Sequence, residues 1–457
     1  MDRKTSLFLH PGAFYRMING KIIMYYTPQA MLYTFNESAG DILDCLKTGS
    51  TINDMLCSLG EKYQIQDTSH AAFQDVEEFV DALVNDGIVI ARSRANDYSG
   101  VLENEVSDEY ANSQRLYSAT IELTYKCNEK CRHCYVSDEG GKELTTSQIK
   151  RVLDELYDIG VLTILFTGGE VFVRQDFFEI LEYAYEKRFA VDIFTNGTLL
   201  DADRILRLKA FWPKGIHFSV YSHIAEKHDA VTQISGSYEK TIKAIKACRL
   251  VGIPVKIKMP VFTETVDDIS GVISLAESLG TSISVSNDIT PKKNGDITPL
   301  GMRVISSDEY GDVAHAIENK LGNLYIPEKR DRKLSNRICS AGARMISINP
   351  YGKVFPCVCF PISIGDVTKQ SLRDIWINSK ELNTWRQQNK MANRTDCIKC
   401  AHLEYCRFCP GEAIMYNGNP VLKYQDACYV TECKKRHISS EVLDENTKRG
   451  GEKHEAI

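Results

Sequence analysis

The spacing of apolar and polar positions changes its period along the chain. From Phe14 to Tyr26 (FYRMINGKIIMYY) two alternating runs flank Asn19-Gly20, the dipeptide that best signals a two-residue hairpin. A third short run, MLYTF (31–35), follows. Helical spacing then takes over in ESAGDILDCL, TINDMLCSLGEKY and FQDVEEFVDALVNDG, with Thr51 as an N-cap and Gly87 as a stop. This predicts three strands followed by three helices over residues 1–95, then a polar linker over 96–116.

From Ser118 the pattern becomes a regular alternation. Strand-like runs recur at 118–125, 163–168, 190–196, 215–221, 255–261 and 282–288, separated by amphipathic stretches such as SQIKRVLDELYDIG and SYEKTIKAIKACRLVG. Six β-α repeats predict parallel strands joined by right-handed crossovers. Six is short of the eight strands of a closed barrel. The fold class is therefore α/β: a partial (β/α)6 TIM-like barrel over 117–305, behind a winged-helix-like α+β domain. Ligands of such folds sit at the carboxyl ends of the strands. Residues 306–440 are loop-rich and cysteine-dense, which predicts a small domain held together by metal. Residues 441–457 read as a polar tail.

Composition removes some function classes. The formal net charge is −6, which gives no argument for binding nucleic acid or a membrane surface. No window of 18 apolar residues predicts a membrane span, and no apolar run after Met1 reads as an export signal, so the expected location is the cytoplasm.

Fifteen cysteines change the picture more. Reducing conditions make a disulfide framework a poor account of them, and metal or redox chemistry a better one. Cys45, Cys57 and Cys248 stand alone among apolar neighbours and read as small buried hydrophobes. The other twelve fall into two groups: Cys127, Cys131 and Cys134, and nine between Cys339 and Cys433. Zinc centres usually close with four ligands, often as two C-x2-C pairs. The first group has three cysteines compressed as C-x3-C-x2-C, and only His133 inside the loop offers a further ligand of the zinc type. A four-iron cluster on three thiolates keeps one iron open, and an open position distinguishes reactive from structural centres.

This motif, with Tyr135 next to it and directly after the first barrel strand, resembles the radical S-adenosylmethionine (SAM) superfamily. The resemblance implies that Cys127, Cys131 and Cys134 hold a [4Fe-4S] cluster whose open iron chelates SAM. It also implies that reductive cleavage of SAM yields a 5′-deoxyadenosyl radical, fed by an electron donor such as flavodoxin or ferredoxin. Gly168-Gly169-Glu170, after the second strand, matches the element with which the family binds the SAM amino group. Asn196, Ser219 and Tyr221 lie at further strand ends where the family contacts the SAM ribose and carboxylate. Asn287 and Asp288 end the sixth strand and should face the same site. No catalytic side chain is assigned.

The later cysteines run C-x12-G-x4-C from Cys339 through Gly352 to Cys357, then Cys397-x2-Cys400-x5-Cys406-x2-Cys409 and Cys428. This resembles the SPASM domain, except that the family's usual last gap is three residues and here it is two. The resemblance implies two auxiliary [4Fe-4S] clusters, making three in all. Cys339, Cys357 and Cys409 would share one; Cys397, Cys400, Cys406 and Cys428 would share the other, with Cys433 as an alternative to Cys428. The first set lacks a fourth ligand, which either Cys359 supplies or the substrate does. A zinc-binding region remains the alternative.

The first module resembles the PqqD-like recognition element of enzymes that modify ribosomally made peptides (RiPPs), in which a leader peptide adds as a strand to the sheet edge. A DNA-binding winged helix is the rival, but the acidic FQDVEEFVDALVND does not suit a recognition helix. The three modules together resemble radical SAM–SPASM RiPP maturases of the sactipeptide and ranthipeptide class, which join a cysteine sulfur to a carbon of the same precursor. The expected partner is a precursor peptide whose leader binds residues 1–95. Two alternatives stand beside this: another peptide modification by the same machinery (carbon–carbon crosslinking, epimerisation or sulfatase-type maturation), and a zinc-dependent, non-catalytic binding protein.

Overall fold

The computed structural model describes residues 3–65, 71–91, 115–137, 140–286, 289–304, 333–403, 406, 408–429 and 431–432. Asn287, Asp288, Cys433, the tail and most of the linker lie outside them.

The predicted hairpin is present. Strands β2 (Ala13–Ile18) and β3 (Lys21–Tyr26) pair antiparallel, with β4 (Met31–Asn36) beside β3. Asn19 and Gly20 have φ of 52° and 75°, the positive pair that a type I′ turn needs. Helices α1 (Ser38–Thr48), α2 (Ile52–Tyr63) and α3 (Ala71–Asn85) follow. Thr51 closes a capping box with Asp54 at the start of α2. Two three-residue strands that the pattern missed, β1 (Leu7–Leu9) and β5 (Val89–Ala91), pair and tie the ends of the module together. They are too short to show a period.

Strand alternation splits the β2–β4 sheet into two buried faces. Tyr15, Ile22, Met24 and Tyr26 pack on the module's own helices. Phe14, Ile18, Ile23, Tyr25 and Leu32 pack instead on Leu162 and Ala190 of the next domain. Arg16 pins this contact. Its guanidinium donates to the Tyr15 and Lys187 carbonyls and stacks 4.3 Å from the Tyr157 ring and 4.8 Å from Phe189.

The next domain has six parallel strands: β6 (Ser118–Thr124), β7 (Thr163–Gly168), β8 (Ala190–Thr195), β9 (Gly215–Ser219), β10 (Val255–Pro260) and β11 (Ser282–Ser286). They lie in chain order across the sheet, as predicted. Helices α4 (Thr146–Asp158), α5 (Phe177–Glu186), α6 (Ala202–Ala210), α7 (Ala225–Thr232), α8 (Ser237–Leu250) and α9 (Ile269–Ser278) make the crossovers. Leu162 and Ala190 stand at the amino ends of β7 and β8, so the first module docks on the end of the barrel opposite the strands' carboxyl ends.

The cysteine-dense region shares its sheet with the barrel. Its first strand, β12 (Met345–Ile348), pairs parallel with β6, and β13 (Lys353–Phe355) and β14 (Gly365–Asp366) extend the same sheet. A partial barrel leaves β6 with an open edge, and this ladder covers it. Helices α10 (Leu372–Asn378), α11 (Lys380–Gln388) and α12 (Pro410–Asn417) complete the region. Among the described residues no helix is long and apolar enough to cross a membrane.

Candidate functional site

The C-x3-C-x2-C loop leaves the carboxyl end of β6, where a bulge shifts the β6–β7 register between Glu122 and Thr124. Lys130 and Arg132 hold the loop from outside by donating their N–H groups to Thr232 and Val231 at the end of α7.

The glycine pair explains how the loop meets β7. Glycines were expected there for close approach to a ligand, but the close approach is to the chain itself. A Cβ on Gly168 would sit 2.2 Å from the Thr124 carbonyl oxygen, and one on Gly169 2.3 Å from that of Lys126. The φ of Gly168 is +132°, which disfavours other residues. Gly169 and Glu170 donate their N–H groups to the Thr124 and Lys126 carbonyls. The turn after β7 is thus fitted to the three residues, Thr124 to Lys126, that precede Cys127.

Glu170 is fully buried and turns inward. Its carboxylate accepts from the Phe172 and Asn196 N–H groups and from the Thr195 hydroxyl at 2.8–3.1 Å. Burial nevertheless pushes its pKa up to about 7. Its side chain braces β7 against β8. Asn196 continues the brace: its amide donates to Asn128 at 2.9 Å and lies 3.9 Å from Cys127 Sγ. The Tyr221 hydroxyl lies 3.7 Å from Cys131 Sγ, and Ser219 adjoins Tyr221.

The structure therefore gathers Cys127, Cys131, Cys134, Gly168, Gly169, Glu170, Asn196, Ser219 and Tyr221 at one end of the barrel. Tyr135 points elsewhere: its hydroxyl donates to the fully buried Glu122 at 3.0 Å. The His133 ring lies 5.2 Å from Phe262, stacked, and 4.9 Å from Tyr221, edge-on; its Nδ1 is buried without a partner.

The electrostatics fit a cationic centre. Burial pushes the Cys127 thiol up to about 11, partly opposed by the Glu129 N–H it accepts. Burial and the Glu129 carboxylate raise Cys131. Burial pushes Glu129 itself up to about 7, and its Oε1 has no partner. Three thiols and a carboxyl whose charged forms are disfavoured are what a metal centre would relieve, by displacing their protons.

The later cysteines gather in two sets. Cys357 hydrogen-bonds to Cys359 and so pushes the latter's pKa well up, with burial adding. Cys409 is pushed up to about 12, by burial first and then by Cys359 and Cys339. Cys359, undecided from sequence, thus stands with Cys339, Cys357 and Cys409. In the second set Cys397, Cys400, Cys406 and Cys428 line one cavity of about 140 Å³. Arg394, which the sequence reading passed over, donates to Cys397 Sγ at 3.1 Å from a buried position. Among the described residues, no three Cys, His, Asp or Glu side chains converge as the ligands of a single ion would. Of the three isolated cysteines, Cys248 is buried and Cys45 half-buried, but Cys57 is exposed, contrary to expectation. Ile52, Met55, Leu56, Leu59 and Gly60 form the buried stripe of α2, and Cys57 falls off it.

Comparison with known proteins follows these divisions. Residues 121–276 match the radical SAM superfamily, 339–410 the SPASM iron-sulfur cluster-binding domain, and 21–89 coenzyme PQQ synthesis protein D (PqqD). The antilisterial bacteriocin subtilosin biosynthesis protein AlbA of Bacillus subtilis (strain 168) is 32% identical over 301 residues, 64% of this chain and 66% of AlbA. The match thus spans just under two thirds of that relative. An AdoMet-dependent heme synthase of Methanosarcina barkeri is 26% identical over 323 residues, 65% of this chain and 92% of the synthase. Among solved structures, Streptococcus suis SuiB bound to precursor peptide SuiA superposes with a TM-score of 0.62 at 16% identity, covering 92% of this chain and 99% of SuiB. That likeness is one of fold.

Proposed function

The chain belongs to the radical SAM superfamily, with a PqqD-type domain before the barrel and a SPASM domain after it, and on that premise we propose that it matures a ribosomally made peptide by joining a cysteine sulfur to a carbon of the same precursor. The observation that carries this reading is the division of the thiols. Among the described residues three stand at the barrel mouth with no fourth beside them, and eight stand in two sets of four. AlbA, a protein of subtilosin biosynthesis, supports the substrate class, as does a PqqA peptide cyclase of Granulibacter bethesdensis that is 24% identical.

Cys127, Cys131 and Cys134 would hold the SAM-binding cluster. The backbone of Gly168 and Gly169, with Asn196, Ser219 and Tyr221, would line the SAM site, and Tyr135 would border it. Glu170 would act by fixing that lining, since its acceptor oxygens are spent on β8. When bound, the cluster and SAM supply a one-electron cleavage that yields a hydrogen-abstracting radical. Forming the carbon–sulfur bond also removes a proton from the thiol and one further electron. With Cys359 as its fourth ligand, the Cys339, Cys357 and Cys409 set is closed, which suits an electron acceptor better than a holder of the substrate thiol. Cys397, Cys400, Cys406 and Cys428 would hold the third cluster. Flavodoxin or ferredoxin would supply the reducing electron.

The leader would bind β4, which among the described residues has no strand on its outer side. Tyr33 and Phe35 on β4 and Phe79 on α3 form an aromatic group there, with ring centroids 5.2–5.9 Å apart. An added strand would gain main-chain hydrogen bonds from β4 and apolar contact from these rings.

Two measurements test the reading. Anaerobically reconstituted protein should carry about 12 irons per chain, falling to about 8 with SAM cleavage abolished when Cys127, Cys131 and Cys134 are replaced by Ala. The matured peptide should lose two hydrogens and one iodoacetamide-reactive thiol per link. A product that loses two hydrogens and keeps all its thiols overturns the thioether.

A further inference from the structure

A cavity of about 270 Å³ lies between the end of the barrel and the SPASM region. Tyr125, Tyr135, Phe355 and Phe360 supply apolar surface, and Cys359 lines it too. It therefore reaches from the residue after Cys134 to a thiol of the first SPASM set. The hydroxyls of Tyr125 and Tyr135 are both turned onto Glu122, at 3.1 and 3.0 Å. The two side chains thus leave their rings to the cavity.

Three lysines also line the cavity. Lys293 is committed: it pairs with Glu122 at 3.4 Å and donates to the Val358 carbonyl at 2.7 Å. Lys292 is paired with Asp296 at 2.7 Å. Lys353, on β13, is exposed, and among the described residues no carboxylate lies within ion-pair distance of its ammonium. Asp366 is its cross-strand neighbour, but that carboxylate accepts from Thr368 N and Oγ1 at 2.9 and 2.5 Å and pairs with Lys369 at 3.5 Å. Among the described residues the cavity thus has aromatic walls and one uncompensated cation.

We propose that this cavity receives an acidic side chain of the peptide substrate, with Lys353 as its counter-charge. The proposal rests on the maturase reading and adds a sequence preference to it. The carboxylate chemistry would equally suit a peptide C-terminus, and the test separates the two sources.

Reconstituted full-length enzyme is equilibrated by dialysis with an equimolar mixture of N-acetylated hexapeptide amides, Gly-Cys-Gly-X-Gly-Gly, where X is Asp, Glu, Asn, Gln, Lys or Ala. Uptake is counted by mass spectrometry, and the variants are matched for iron content. The wild type and Lys353→Arg should take up the Asp and Glu peptides about fivefold over their amides, as a single solvent-facing ion pair allows. The ratio should fall to about one in Lys353→Ala, and the Lys peptide should be preferred by Lys353→Glu. An acidic preference that survives in Lys353→Ala, or peptide uptake without any acidic preference, overturns the proposal. The same set is also run as free C-terminal acids; a preference for the free acid over the amide whatever X is assigns the cavity to the peptide terminus and also overturns it. If the wild type takes up none of the peptides, the cavity is no peptide subsite and the proposal falls, while the maturase reading is decided separately by the iron count and the mass of the matured peptide.

Discussion

The Gly169→Ala substitution tests whether the turn after β7 positions the cysteine loop. The added Cβ would meet the Lys126 carbonyl oxygen at 2.3 Å, its carbon at 2.8 Å and the Tyr125 carbonyl oxygen at 2.9 Å. Carbon and oxygen approach without strain only to about 3.3 Å, so the two segments must part by about 1 Å. All three obstacles are main chain, and none can swing aside as a side-chain tip would. Parting them stretches the 2.8 Å bond from Gly169 N–H to Thr124 O and the 3.0 Å bond from Glu170 N–H to Lys126 O. It also moves Cys127, the next residue along. Overpacking of this kind costs about 1–3 kcal/mol of stability, which a domain of this size survives. A displacement of about 1 Å at a reacting centre costs about a hundredfold in rate. The assay is 5′-deoxyadenosine release under reducing, anaerobic conditions, with iron content and circular dichroism measured on the same samples. The control is Gly301→Ala, where an added Cβ has nothing within 4 Å. The expected outcome is native dichroism, iron content kept at about 12 per chain and cleavage down about a hundredfold, with the control unchanged. Cleavage within twofold of wild type in Gly169→Ala would refute the reasoning.

The same logic applies in the SPASM region. A Cβ on Gly411 would lie 2.3 Å from the Cys359 carbonyl oxygen, so Gly411→Ala should cost about four irons and abolish peptide crosslinking while SAM cleavage persists; full iron content would sink it. Replacing Arg16 by Met removes two bonds to carbonyls and two ring contacts, at about 2–4 kcal/mol; protease should then release the first module faster, and unchanged protection would exclude the anchor. His228 is buried, and burial lowers its pKa to about 4 from 6.5. A lowered histidine gives stability that is present above pH 6.5 and lost as pH falls towards 4, about 1.4 kcal/mol by pH 5.5. The urea midpoint should therefore drop more between pH 7 and 5.5 in wild type than in His228→Asn, and equal drops would count against it.

The parts of the fold that rest on local period were legible. The six barrel strands fall within a residue or two of their runs, and Asn19-Gly20 makes the turn its dihedrals require. What was not legible depends on partners distant in sequence. Nothing in MISINPYGKVFPC indicates that β12 pairs with β6, because the need for that pairing arises only at the open edge of the barrel. The glycine pair was legible as a site but not in its role, since the atoms it clears belong to Thr124 and Lys126. Cys359 was ambiguous because C-x-C spacing allows either thiol to reach a centre; the fold adds that it hydrogen-bonds with Cys357. Glu122 did carry a signal: it is the one charged residue in SATIELTY, and a charge inside a buried strand needs partners. Tyr125, Tyr135 and Lys293 are those partners.

The first module and the three-cysteine loop lie towards opposite ends of the barrel strands. The PqqD-type sheet rests on Leu162, Ala190 and Lys187, before β7 and at the start of β8, while Cys127, Cys131 and Cys134 follow the carboxyl end of β6. β7 spans six residues, about 20 Å at the usual rise per residue. On the maturase reading, a leader held on β4 must send at least about six extended residues past the barrel before the modified residue reaches the thiols. A tether of that kind keeps the modified segment at high effective concentration while leaving it free to slide. Recognition on β4 would then fix which peptide is modified, and the cavity beside Cys359 and Lys353 would select among the positions within reach. On the maturase reading the open coordination position would fall to Cys127, Cys131 and Cys134, because among the described residues that set has three thiols while the other two have four.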